Sequence, residues 1–201
     1  MASRSIRRAG LATALAVACA VSAPAVAGSG ADTSNPYSVG RQLRFQIDYP
    51  SFLRFRIGSA AAVDLLDFDA PVGSLGTGVP VSASGGDAGP SSVTVLVVAN
   101  TGVVTIGATN NSGGLGLGTG TPTDGYISYG QITTTSSSPQ VPSPALANSG
   151  VTSAVVAVTS GTITSRAAVW TFAYANTTIP TSGVYGTSAN GGRVTYTAST
   201  P

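Results

Sequence analysis

The sequence lacks most of the side chains on which catalysis depends. It contains no histidine, lysine or glutamate, and its one cysteine and one methionine, Cys19 and Met1, both lie in the first 27 residues. Residues 28–201 therefore cannot form the nucleophile–base triads, thiolate sites, Schiff-base lysines or His/Cys zinc sites of familiar enzymes. We expect a non-enzymatic protein without a cofactor, whose domain depends on a packed core because it cannot form disulfide bonds.

Residues 1–27 have the composition of an export signal. Three arginines precede an apolar run over 9–21, Pro24 follows, and small residues at 25 and 27 precede Gly28. The apolar run is too short to span a membrane, and no later segment is long and apolar enough. The pattern predicts an exported protein of the periplasm, the cell surface or the extracellular space. The alternative is a lipoprotein that is lipidated at Cys19.

Charge gives no reason to expect a nucleic-acid or membrane partner. The whole chain has a formal net charge of +2, but three of its nine basic residues are the arginines of the predicted signal. Residues 28–201 keep six arginines against seven aspartates, a net charge of −1. The basic character belongs to the signal, so an electrostatic footprint for nucleic acid is absent from the exported part.

Two alternating segments separated by a proline follow a polar leader. Residues 28–40, GSGADTSNPYSVG, predict a flexible leader. Strict alternation over 41–49 predicts a half-buried β-strand. The apolar face of that strand consists of Leu43, Phe45, Ile47 and Tyr49. Pro50 interrupts the pattern because proline cannot donate to a strand ladder, and the alternation resumes over 53–57.

Short β-type runs separated by glycine, serine, asparagine and proline make up the rest of the chain. The runs 93–99 and 103–108 flank the turn residues 100–102, which predicts a hairpin. Further strands are predicted at 63–68, 79–83, 126–133, 151–158, 162–164, 166–175 and 193–197. Without a helical period, this pattern predicts a single all-β domain over 41–201, an immunoglobulin-like β-sandwich. A barrel or a jelly roll is the alternative.

Two polar patterns could carry binding chemistry. Asp64, Asp67 and Asp69 form an acidic cluster whose oxygens could bind Ca²⁺ or, as a carboxylate pair, cleave a glycosidic bond. We favour the interpretation that they are polar edge or loop residues. The glycine-rich run LGLGTG, at 115–120, has the composition of a phosphate-binding loop. It lacks the following helix and the lysine that such loops need, so we expect an irregular connection.

Three aromatic residues share one face of the predicted strand 166–175. Trp170, Phe172 and Tyr174 occur at a spacing of two, so their side chains point the same way. They could form an exposed platform for a carbohydrate or belong to the interior of the sandwich. The core is the interpretation that we favour.

The two ends of the exported chain share a pattern with a known family. FQIDYPSFLRFRIGS, at 45–59, is an alternating segment, a proline and a second strand. IPTSGVYGTSANGGRVTYTAS, at 179–199, is a proline, glycine and tyrosine turn followed by a final strand. In these segments the chain resembles chaperone–usher fimbrial subunits, especially the colonisation-factor class. The disulfide of many other fimbrial subunits is absent here, as it is in that class.

The resemblance implies a sandwich that lacks one strand. In such subunits the N-terminal extension of one copy fills the groove of its neighbour, which is β-strand addition. Carried over to this chain, the assembly strand is 41–49, and the partners are further fimbrial subunits and a periplasmic chaperone. The expected function is that of a structural or adhesive extracellular protein. The alternative function is that of a self-complete secreted sandwich that binds carbohydrate or another surface ligand.

Overall fold

The computed structural model describes residues 31–201 of the chain. The predicted export signal, 1–27, and the start of the predicted leader lie outside this range. The described chain divides into two units between Asp48 and Tyr49. In the first unit, residues 31–48 contain no strand or helix, and Asp32 accepts hydrogen bonds of 2.9 Å from the backbone of Ser34 and of Ser38.

The second unit is built from β-strands. Residues 49–201 contain ten strands and three short 3₁₀ helices, so the predicted all-β class is confirmed. The strands are β1 Leu53–Ile57, β2 Val81–Ser82, β3 Ser92–Ala99, β4 Val104–Asn110, β5 Leu117–Gly118, β6 Tyr126–Ile127, β7 Ile132–Ser136, β8 Thr152–Val156, β9 Thr164–Tyr174 and β10 Val194–Ser199. The 3₁₀ helices are Val72–Ser74, Pro122–Asp124 and Tyr129–Gln131. Across the described residues, none of the helices is long and apolar enough to cross a membrane.

Two antiparallel sheets form the layers of a β-sandwich. In the first sheet β1, β3 and β9 lie side by side, β7 pairs with the other edge of β9, and the short β2 pairs with its end. The second sheet has the order β10-β4-β8. A separate pair, β5 and β6, lies outside both sheets. The first and last strands of the domain, β1 and β10, are therefore edge strands of different sheets.

The core lies between the two sheets and follows the alternation of the strands. In β3 every second residue is buried, and Val93, Val95 and Val97 contribute to the core. The second sheet contributes Ile106 from its central strand. Trp170 is fully buried, and its ring lies 5.5 Å from that of Tyr196 across the sandwich. Because inward residues recur with period two on both sheets, one continuous hydrophobic cluster holds the layers together.

The predicted hairpin over 93–108 is wrong. Its two strands are present as β3 and β4, but they belong to different sheets. β3 pairs with β1 and β9, whereas β4 pairs with β8 and β10. The connection 100–103 is therefore a corner between layers. Buried residues alternate along both strands, and each strand buries more surface as the central strand of its own sheet than it would in a two-stranded ribbon.

Three further predicted strands differ from the structure. Of 162–164 only Thr164 lies in a strand, at the start of β9. At 63–68 the chain makes only a single bridge, between Asp67 and Ser84, and Val63 is 91% exposed. The stretch 126–133 is divided by the 3₁₀ helix Tyr129–Gln131, which separates β6 from β7. In these last two places loop hydrogen bonds compete with a sheet ladder, which strand propensity does not capture. The glycine-rich connection, in contrast, contains the short strand β5.

Candidate assembly site

Within residues 31–201 the predicted assembly segment pairs with no other strand. Residues 41–49 are not in a strand there, and their four apolar side chains are exposed. Leu43 is 78%, Phe45 82%, Ile47 85% and Tyr49 81% exposed. The prediction that this segment is a half-buried strand is therefore not met within the described part of the chain. An alternating apolar face of this length is a costly surface to leave in water.

One side of the sandwich is closed by its own chain. The segment 137–151 runs from the edge strand β7 to the edge strand β8 and covers the space between the sheets. Val141 is completely buried there, and its carbonyl oxygen accepts a 3.0 Å hydrogen bond from Nε1 of Trp170. The backbone of the segment also bonds to both sheets, from Ser137 to Val169 and from Ala157 to Gln140. The segment 137–151 therefore covers the core on this side of the sandwich.

The opposite side, between β1 and β10, has no such cover within residues 49–201. Each of these strands has a sheet partner on one edge only, β3 for β1 and β4 for β10. Cα atoms of β1 and β10 approach within 8 Å, yet the two strands exchange no backbone hydrogen bonds in this unit. The outer edges of the first and last strands are therefore open to a further strand.

Half-buried core side chains line this opening, which we call the β1–β10 opening. They pack against the core but are only partly covered: Leu53, Phe55 and Ile57 from β1, and Tyr196 and Ala198 from β10. The inward residues of the central strand β3, in contrast, are nearly or completely buried. Burial also raises the pKa of the Tyr196 hydroxyl, because the phenolate would be poorly solvated beside the core.

Asn100 holds the chain that leads into β1. Its Oδ1 accepts a hydrogen bond of 2.8 Å from the backbone N–H of Phe52, and its Nδ2 donates one of 2.8 Å to the carbonyl oxygen of Pro50. Its own N–H donates to the carbonyl of Phe52 at 3.3 Å. Phe52 thus lies opposite Asn100, which extends the β1–β3 register by one residue. The sequence pattern indicates only a turn at Asn100, because its side-chain role depends on residues about fifty positions earlier.

The aromatic stripe of β9 belongs to the core. Trp170 is fully buried, Phe172 is 6% exposed and Tyr174 is 8% exposed. The ring of Tyr174 also lies 6.5 Å from that of Phe68. These three residues cannot form a platform for a carbohydrate, and the favoured interpretation of the sequence is confirmed.

The acidic residues of the chain do not gather into a metal-binding group within 31–201. Asp64 accepts a 2.6 Å hydrogen bond from the backbone N–H of Ser59, so its carboxylate closes a local turn. Asp67 contributes its backbone to the bridge with Ser84, and Asp69 is exposed. These positions match the polar edge and loop residues that we favoured from the sequence.

Comparison with protein-family models, with curated proteins and with solved structures finds no match to this chain.

Proposed function

We propose that this protein is an exported structural subunit that assembles by β-strand addition. In this proposal residues 41–49 of one copy enter the β1–β10 opening of another. The observation that supports the proposal is that one molecule presents two surfaces without a partner among its described residues. One is the opening, with free strand edges and half-covered core side chains, and the other is an exposed alternating segment.

The chemistry of the two surfaces is complementary. A strand added at the opening would supply backbone donors and acceptors to the free edge of β1 or of β10. Its apolar face, at every second residue, would cover the half-buried side chains of the opening. If four such side chains become fully buried at about 1.5–3 kcal/mol each, they contribute about 6–12 kcal/mol before the costs of ordering and association.

The hydrogen bonds of Asn100 favour a segment that comes from another copy. To fill the opening of its own domain as a hairpin with β1, the chain would have to reverse between Tyr49 and Leu53. Pro50 and Phe52 are instead bonded to Asn100 in line with β1. A reversal would break these bonds, whereas a segment from a second copy leaves them intact.

The same surfaces fit the partners implied by the fimbrial resemblance. A chaperone that keeps such a subunit soluble during export would need to cover the opening until assembly, and the half-buried apolar side chains are a surface that requires cover. The low charge and the absence of catalytic residue types in 28–201 suit a structural or adhesive role.

The most specific test places the same charge on either face of segment 41–49 in two separate variants. In Phe45→Arg the charge falls on the face that enters the opening, and in Gln46→Arg the same charge falls on the opposite face. We expect concentration-dependent oligomers of the exported chain, measured by sedimentation velocity, for the original protein and for Gln46→Arg. Phe45→Arg should remain monomeric, because an arginine would be buried without a partner.

A second arm separates assembly from stability. A chain that begins at residue 50 should be less stable than the assembled form, and a synthetic peptide of 41–49 added in trans should raise its unfolding midpoint. A protein that stays monomeric at every concentration, with 41–49 protected from hydrogen exchange inside its own sheet, would refute the proposal.

A further inference from the structure

A shallow depression lies at the β5–β6 pair, between the neighbouring loops 111–116 and 189–191. It has a volume of about 250 Å³ and is lined by asparagine, serine, glycine, alanine, leucine and tyrosine. None of these described lining residues carries a charge. A ligand that suits this surface is uncharged, since nothing there would compensate the desolvation of an ion.

Tyr126 is the aromatic residue that lines the depression. It is paired with Gly118 in the β5–β6 register. A methyl group on Gly118 would lie 2.8 Å from Cε1 and 3.0 Å from Cδ1 of the tyrosine, so one edge of the ring abuts Gly118. Tyr126 is 42% exposed, and its hydroxyl makes no hydrogen bond within the described chain. Gly118 therefore holds one edge of the ring, and the exposed part of the ring is available to a ligand.

Asn190 supplies the polar group beside the ring. Its backbone is fixed on both sides, because its N–H donates to Thr187 at 2.9 Å and its carbonyl accepts from Gly118 at 3.0 Å. Its carboxamide lies against Gly120, where a methyl group would meet Nδ2 at 3.1 Å and Oδ1 at 3.2 Å. The carboxamide is half-buried and forms no hydrogen bond with any residue in 31–201.

The side-chain amide of the neighbouring Asn111, unlike that of Asn190, is hydrogen-bonded to the protein. Its Nδ2 donates to the carbonyl of Ser188 at 2.9 Å, and its Oδ1 accepts from the N–H of Arg193 at 3.0 Å. Both ends of that amide are used to hold the loops. The side-chain amide of Asn190 has no protein partner in 31–201, and its atoms are not among the buried unpaired ones, so its donors and acceptor are open to a ligand.

The geometry points to a carbohydrate-binding site at Tyr126 and Asn190. A sugar ring stacks its C–H face on the open face of an aromatic ring, and a carboxamide offers both a donor and an acceptor to adjacent hydroxyl groups. An uncharged depression with one aromatic surface and a few polar groups suits a neutral polyhydroxylated ligand. This site replaces the aromatic stripe of β9 as the surface where sugar could bind.

The site is independent of the proposed assembly. None of its residues belongs to β1, β10 or 41–49. A protein that assembles without binding sugar, or binds sugar without assembling, would separate the two proposals. Both together describe an adhesive fibre subunit.

Saturation-transfer NMR on the full exported chain tests the site. The probes are D-glucose, D-galactose, D-mannose and N-acetyl-D-glucosamine at millimolar concentration, followed by the oligosaccharides of a glycan array. We expect at least one sugar to receive saturation through its ring C–H protons. Tyr126→Ala and Asn190→Ala should each weaken its binding about tenfold or more, and Tyr37→Ala, which removes an exposed tyrosine elsewhere, should not.

Three results would overturn the inference. One is that no sugar of the panel or the array binds, and another is that binding survives both substitutions. The third is that inorganic phosphate shifts the side-chain amide signal of Asn190 while the sugars do not. Because the Asn190 carboxamide has no protein partner in the described chain, Asn190→Ala should keep the unfolding midpoint and remain informative if Tyr126→Ala fails to fold.

Discussion

Trp170 is the side chain at which the two sheets and the closing segment meet. Its indole is completely buried, donates a hydrogen bond to Val141 in the closing segment, and packs on Tyr196 of the opposite sheet. Truncation to alanine would remove that packing and one of the two hydrogen bonds that the carbonyl of Val141 accepts, the other coming from the hydroxyl of Ser136 at 2.7 Å.

We expect Trp170→Ala to lower the free energy of unfolding by about 3–5 kcal/mol. Trp170→Phe should cost less, because it keeps most of the apolar volume and loses only the hydrogen bond and part of the ring. Urea unfolding followed by circular dichroism measures both. Tyr126→Ala, at an exposed ring, is the matched comparison, and an equal loss there would contradict the assignment of Trp170 to the core.

Tyr129 makes the fold sensitive to alkali. Burial raises the pKa of its hydroxyl to about 12, and that hydroxyl donates to the carbonyl oxygen of Gly191. In the unfolded chain the pKa is near its ordinary value of about 10. A raised pKa in the folded state means that the stabilisation is complete below pH about 10 and is lost as the pH rises towards about 12.

Urea midpoints measured from pH 8 to pH 12 test this behaviour. We expect the urea midpoint of the original protein to fall steeply above pH about 10. At pH 8 the midpoint of Tyr129→Phe should be slightly lower than that of the original protein, and it should fall less steeply as the pH rises. Some slope should remain, because burial also raises the pKa of Tyr196. Tyr37→Phe, at an exposed tyrosine, should leave the profile unchanged, and an identical profile for Tyr129→Phe would contradict the prediction.

At the scale of the element, the proposed assembly depends on the connection into β1, which Asn100 holds in line with that strand. Asn100→Ala removes the side-chain bonds to Pro50 and Phe52. We expect a loss of about 1–2 kcal/mol in domain stability and a larger monomeric fraction, because the freed chain can turn back onto β1. Sedimentation velocity and urea unfolding on the same samples report both effects.

Asn100→Asp is the graded comparison, since it keeps the acceptor for Phe52 but loses the donor to Pro50. It should lie between the original protein and Asn100→Ala in both measurements. Unchanged oligomers in Asn100→Ala would mean that the side chain holds β1 without influencing which copy supplies the strand.

At the scale of the whole molecule, assembly should depend on apolar surface rather than on charge. Residues 28–201 have a net charge of −1, and the proposed assembly face consists of Leu43, Phe45, Ile47 and Tyr49. At 1 M salt, exposed charges farther apart than about 3 Å are screened, but apolar burial is not weakened. Oligomers should therefore persist in 1 M NaCl and become more stable in ammonium sulfate. Dissociation in NaCl would indicate that ion pairs hold the copies together.

The alternation of short segments was enough to predict much of this fold. It correctly predicted β1, β3, β4 and the long β9, since a period of two with β-branched and aromatic residues reports which face is buried. It could not predict the sheet to which a strand belongs. A tight connection such as 100–103 can join neighbouring strands of one sheet or cross between the two layers. The outcome depends on strand partners that are distant in sequence, and these partners place β3 and β4 in different sheets.

The sequence by itself determined the class of the domain, the buried stripe at Trp170 and the alternating face of 41–49, because side-chain period and residue chemistry are local properties. Only the tertiary structure decided that one side of the sandwich is closed by 137–151 while β1 and β10 are left with free edges. The tertiary structure alone places the side chain of Asn100 at the carbonyl of Pro50. It also brings Asn190 and Tyr126 to Gly118, which pairs with Tyr126 and donates a hydrogen bond to the carbonyl of Asn190. Those contacts join residues far apart in the chain, and their partners are set by the packing of whole sheets rather than by any local pattern.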